Sequence, residues 1–127
     1  MTVALWCVFI AGLLPYAAAL TAKAGAPGFD NNEPRAWLAK QTGFRARANA
    51  AQQNSFEAFA LFAVAVLVAH VTRGAVAQAD TLAMVFIAAR VIYLFLYLRG
   101  WGTARSLVWG VGMVVSVWIF LIPVFSA

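Results

Sequence analysis

Arg47 to Val71 reads RANAAQQNSFEAFALFAVAVLVAHV, a polar, helix-permissive opening that passes without a break into a long apolar run. The apolar part, about residues 50–71, has the ~20 residues a helix needs to cross the hydrocarbon of a bilayer. Three other stretches have the same character, at about 3–20, 81–98 and 107–125. The chain is 65% hydrophobic and only 10% charged, which does not suit a water-soluble globule, whose charged fraction is nearer ~25%. The sequence therefore predicts one domain: an all-α integral membrane protein whose four transmembrane helices form an antiparallel bundle, joined by brief connections.

Charge sets the expected orientation. Lys23, Arg35, Lys40, Arg45 and Arg47 surround the first polar gap, Arg99 and Arg105 flank the third, and the second carries only Arg73. Basic residues collect on the cytoplasmic side of short loops, so residues 21–46 form a cytoplasmic loop and both termini face outward. The net charge of +5 is dispersed among Val, Leu, Ala and Phe, which argues for lipid headgroups and small anions as partners and against nucleic acid. The first apolar run lacks a basic leader and exceeds a signal-peptide core, so a retained helix is expected, with Pro15 as a potential kink. In the loop, Asn32 can cap a short helix opened by Pro34 and closed by Gly43, with Trp37 and Leu38 dipping into the membrane interface. Small residues (Ala58, Ala63, Ala65 and Ala69 on span two, Gly112 and Ser116 on span four) suit close helix contact. Cys7 is a lone cysteine and His70 a lone histidine, so neither a disulfide nor a metal centre is indicated.

Three polar residues stand where lipid should be. Asn54 and Glu57 lie on span two and Arg90 on span three. A charge at such depth costs on the order of 3 kcal/mol unless compensated. Glu57 is ten residues past Arg47 and Arg90 nine before Arg99, so at ~1.5 Å per residue they share a depth and a Glu57–Arg90 ion pair is expected. Arg47, Asn54 and Glu57 follow helical spacing, as do Arg90, Tyr93 and Tyr97, and Arg105 and Ser106 stand where the last span begins. Together these residues predict a basic, hydrogen-bonding cleft that opens toward the cytoplasm.

The segments R-A-N-A-A-Q-Q-N-S-F-E (47–57) and A-R-V-I-Y-L-F-L-Y (89–97), followed by Arg105-Ser106, resemble the MAPEG family, the membrane-associated proteins of eicosanoid and glutathione metabolism, in its bacterial-type form. The resemblance implies a homotrimer in a bacterial inner membrane, with glutathione held as co-substrate between neighbouring subunits. It implies that Asn54, Glu57, Arg90, Tyr93 and Tyr97 line the glutathione pocket, with Gln53 and Arg47 adding contacts. It also implies that Arg105, beside Ser106, stabilises the thiolate, and that Lys23 reaches over from a neighbour. The implied activity is transfer of glutathione to a lipophilic electrophile, or reduction of a lipid hydroperoxide. One position departs from the pattern: Ala50 stands four residues before Asn54, where the glutathione-using members carry a carboxylate-gripping arginine. Two other classes are open. A non-catalytic or different-ligand protein would keep the bundle, and a small multidrug exporter would use a membrane carboxylate, although span one contains none.

Overall fold

A computed structural model describes residues 1–125 as five helices: α1 (Val3–Lys23), α2 (Pro34–Ala39), α3 (Gly43–Arg73), α4 (Ala77–Arg99) and α5 (Gly102–Phe125). The four long helices are each long and apolar enough to cross a bilayer, as a multi-pass integral membrane protein requires. They run antiparallel. The ends of α1 and α4, with the starts of α3 and α5, meet at one end of the bundle, where the Arg45 guanidinium donates to the carbonyl of Ala22 and that of Arg47 to the carbonyl of Leu98. At the opposite end, the Asp80 carboxylate accepts from the Ala4 amide at 2.7 Å, tying the start of α1 to that of α4.

Small side chains set the helix spacing. Ala4, Ala11, Ala65, Ala69 and Ala83 are buried in one continuous core with Phe62, Phe86, Val66 and Ile119. With no water to expel inside lipid, close backbone approach and van der Waals packing hold such helices together. Large apolar residues such as Phe9, Leu20, Val64, Val114 and Phe120 are exposed on the outside of the bundle, as helices in a lipid environment allow. Phe62 and Phe86 stack at 3.8 Å between ring centroids and 5° between planes, joining α3 to α4 at mid-bundle.

The helices outrun the apolar stretches that predicted them. α3 begins at Gly43, so residues 43–46 of the expected loop are helical. Arg, Ala and Gln propagate a helix about as well as Leu does where no Pro interrupts, and 31 residues span ~46 Å at 1.5 Å each. That exceeds the ~30 Å apolar core and lifts the Arg47 end of α3 out of it. Pro15 does not break α1, which is continuous through it. The short helix differs from expectation in its details. Glu33 takes the N-cap position of α2, while the Asn32 amide donates to Asp30 in a turn of its own. Gly43 opens α3 instead of closing α2. Leu38 is buried against Ala22 and Ala48, packing on protein where the sequence suggested the membrane interface.

Candidate functional site

Two connected cavities lie on the face made by α3, α4 and α5. The first, about 240 Å³, is an apolar crevice with the exposed Glu57 at its mouth and with Asn54, the buried Arg90, Leu61, Phe86 and Gly112 in its walls. The second, about 280 Å³, is polar and is lined by Tyr93, Tyr97, Arg105 and Ser106. Asn54 and Trp109 belong to both and form the partition between them.

The polar cavity is assembled by a single helix stripe and a tight turn. Arg90, Tyr93 and Tyr97 fall at i, i+3 and i+7 on α4, hence on one face. α4 closes at Gly100, whose φ of +75° is the left-handed conformation glycine adopts without strain. The Trp101 amide then donates back to the Leu96 carbonyl, and α5 starts at Gly102. This short reversal lays the Arg105 guanidinium over the Tyr97 ring at 4.3 Å. Arg90 lies over Tyr93 at 4.0 Å, and the two tyrosine rings meet edge to face at 5.5 Å. The two rings therefore lie between two guanidinium groups, in a ladder of Arg90, Tyr93, Tyr97 and Arg105. Each cation–π contact contributes about 0.5–2 kcal/mol, more when water is excluded.

Arg90 is buried, and its polar partners correct the expected ion pair. Its Nη2 donates to Asn54 Oδ1 at 3.0 Å and to Ser55 Oγ at 3.2 Å. No ion pair within 4.0 Å joins Glu57 to a basic side chain among the described residues. Depth was shared as the spacing required, but Glu57 is turned outward and exposed along the crevice mouth. Ser55, which nothing in the spacing of charges singled out, takes the inward position next to Arg90. Its signal was present only as a small polar residue one step past Asn54.

Two other expected members lie elsewhere. Arg47 Nε donates to the Leu98 carbonyl at 3.1 Å, and its guanidinium packs within 4 Å of where a side chain on Gly100 would begin. It is committed to the end of α4 and lines neither cavity. Gln53 is one residue from Asn54 and therefore ~100° away around α3. It faces a third cavity of about 540 Å³ between the end of α1, α2 and the outer side of α3, together with Lys23, Arg35, Asn49 and Gln52. Within one chain, Gln53 and Lys23 on one side and the polar cavity on the other do not meet. Trp109, which the spacing of polar residues does not single out, lines both cavities.

A model of the MAPEG family matches residues 3–125, which is nearly the whole chain. The chain belongs to the MAPEG family. No curated protein and no solved structure gives a significant match. Membership agrees with the four long apolar helices and makes this a MAPEG membrane protein. The polar ladder and the crevice are features of its own chain.

Proposed function

We propose that this MAPEG protein binds glutathione at the polar cavity, as co-substrate, and uses its thiolate against lipophilic electrophiles or lipid hydroperoxides. The observation that carries this reading is the junction of the two cavities. A basic, aromatic chamber holding Arg105 and Ser106 shares Asn54 and Trp109 with a crevice that opens along apolar helix faces. A water-soluble thiol and a membrane-soluble partner can then meet at one partition.

A free thiol has a pKa of ~8.5, so little thiolate exists at neutral pH, and the thiolate is the nucleophile. Arg105 lies in the first turn of α5, where the helix dipole is also positive. Two positive sources at one point favour an anion there, and the Ser106 hydroxyl adds a donor. In conjugation, the sulfur lone pair forms a C–S bond while the leaving group departs with its electrons. In peroxide reduction, two glutathiones are oxidised to the disulfide, and the hydroperoxide becomes an alcohol and water. Arg105 and Ser106 hold the sulfur anion, and Asn54, Glu57, Arg90, Tyr93 and Tyr97 orient the peptide, with Glu57 accepting from its ammonium group.

A homotrimer completes the reading. Glu57 is exposed on a membrane-spanning helix and has no cationic partner among the described residues, an arrangement costly in lipid. A neighbouring chain that covers this face would bring its own Lys23 and Gln53, which line the separate basic cavity, toward the ligand. Cytoplasmic placement of this end of the bundle, with both termini outside, follows from the loop charges. The crevice admits the lipophilic substrate from the bilayer.

A second reading, a bundle that keeps the fold without glutathione chemistry, is favoured by one observation: Ala50 leaves the carboxylate-gripping position empty and Arg47 is already bonded to Leu98. Calorimetry with glutathione on the detergent-purified protein separates the two. The thiol reading expects measurable binding, tighter by about tenfold in Ala50→Arg, since a charge-assisted bond contributes ~1.5–3 kcal/mol. It also expects the ultraviolet thiolate absorbance of bound glutathione to disappear in Arg105→Ala. Absence of binding by both the parent and Ala50→Arg would establish the second reading.

A further inference from the structure

We infer that Ser55 is a positioning residue of the site: it holds the Arg90 guanidinium in place without neutralising it, so that a whole positive charge stands behind the polar cavity for an anionic ligand. The identity of that ligand rests on the glutathione reading above; the holding of Arg90 is testable without it.

Three helices fix Arg90. Its side chain leaves α4 and passes α5 at Gly112, where an added side-chain carbon would come within 3.9 Å of the Arg90 Cδ. The guanidinium then reaches α3. There the two N–H groups of Nη2 meet two acceptors, Asn54 Oδ1 at 3.0 Å and Ser55 Oγ at 3.2 Å. The group lies over the Tyr93 ring at 4.0 Å.

All of these partners are neutral, which is uncommon for a buried cation. An arginine inside a span ordinarily pairs with a carboxylate or with backbone carbonyls, and no carboxylate lies within 4.0 Å of Arg90 among the described residues. Neutral acceptors satisfy the N–H groups and leave the charge uncancelled. In surroundings of low dielectric that charge acts over several ångströms. Tyr93, which Arg90 covers, lines the polar cavity together with Arg105. A ligand of net negative charge, as glutathione is, gains from both guanidinium groups.

The two acceptors differ in reach. Asn54 lines both cavities and is in contact with whatever occupies them. Ser55 is only 3% exposed and lines neither, so it acts on a ligand through Arg90 alone. A carboxylate at this position would hold Arg90 more strongly than a hydroxyl does, and it would cancel the charge.

Ser55→Asp therefore separates holding from availability. In detergent its melting temperature should equal or exceed that of the parent, while glutathione affinity by calorimetry falls about tenfold, as expected when one unit charge near an anion is cancelled. The loss should be smaller for glutathione ethyl ester, which has no net charge, whereas a damaged fold would weaken both ligands alike. Ser55→Ala should weaken glutathione binding by about threefold, the scale of one hydrogen bond. Holding is read from side-chain nitrogen NMR spectra of arginine-labelled protein: the Arg90 Nη signals should be resolved in the parent, where rotation is hindered, and merge in Ser55→Ala. The inference is overturned if Ser55→Asp binds glutathione as tightly as the parent, if acid and ester lose affinity equally, or if the Arg90 signals are the same in Ser55→Ala. Should Ser55→Asp fail to fold, unchanged glutathione affinity in Ser55→Ala overturns it. A parent protein that ignores glutathione removes the thiol reading alone, and the Arg90 spectra still decide whether Ser55 holds the guanidinium.

Discussion

Arg47 and Arg90 have the same side chain and are employed differently because one reaches backbone and the other reaches side chains. Arg47 stands in the part of α3 that rises beyond the apolar core and donates to the last turn of α4, where the unsatisfied carbonyls of a helix end accept well. Arg90 is buried and is held by Asn54, Ser55 and the Tyr93 ring. The two therefore fail differently. Arg47→Ala removes one charge-assisted bond, a loss of about 1.5–3 kcal/mol, and is expected to lower the melting temperature in detergent while leaving the glutathione dissociation constant where it was. A weakened glutathione affinity at unchanged melting temperature would return Arg47 to the binding site. Ala50 is the counterpart: its single methyl group lies one helical turn from Asn54, and the affinity gain in Ala50→Arg measures what that position withholds.

Among the elements, α4 carries the stripe of Arg90, Tyr93 and Tyr97, and its placement depends on both its ends. Its last turn, closed by Gly100, sets the direction in which α5 leaves and thereby where Arg105 lands. Its first turn presents Asp80 to the amide of Ala4, so α1 begins on a carboxylate supplied by another helix. The Thr2 hydroxyl, at the N-cap of α1, accepts from the Leu5 amide as well. An anionic acceptor at a helix start contributes about 0.5–2 kcal/mol by hydrogen bonding and interaction with the dipole. Asp80→Ala is thus expected to destabilise the bundle by that amount and to speed hydrogen exchange in the first turns of α1, with the Arg105 end of the molecule unaffected. Equal exchange in parent and variant at residues 4–8 would show that Thr2 suffices as the cap.

For the whole molecule, the informative contrast is between two separate cavities along α3. Asn54 and Glu57 line the crevice, and Gln53 with Lys23, Arg35 and Asn49 lines the basic cavity beside α1 and α2. A single chain leaves Glu57 exposed along its span and the basic cavity separate from the polar ladder. Assembly into the proposed trimer brings unlike faces together and relieves both. Light scattering of the detergent complex, corrected for bound detergent, is expected to give three chains per particle. Co-expression of Arg105→Ala with a Lys23→Ala, Gln53→Ala variant should then restore glutathione binding that each lacks alone, because some interfaces in mixed particles carry one intact half from each chain. A monomer mass, or no recovery on mixing, would place the complete ligand site within one chain.

The four spans were legible in the sequence because membrane insertion is a local matter. A helix in lipid satisfies its own backbone groups, so length and hydropathy of each stretch identify it with no knowledge of its neighbours. The stripe of Arg90, Tyr93 and Tyr97 was legible for the same reason, since spacing on one helix follows from its 3.6-residue period alone. How each helix is rotated about its axis was not, because small residues such as Ala65, Ala69 and Ala83 allow close packing at several angles that differ by little in energy. That rotation turned Ser55 toward Arg90 and Glu57 away from it, and gave Arg47 to the end of α4. Spacing along a helix fixes which groups share a depth and a side, and only the packed bundle decides which side faces which neighbour.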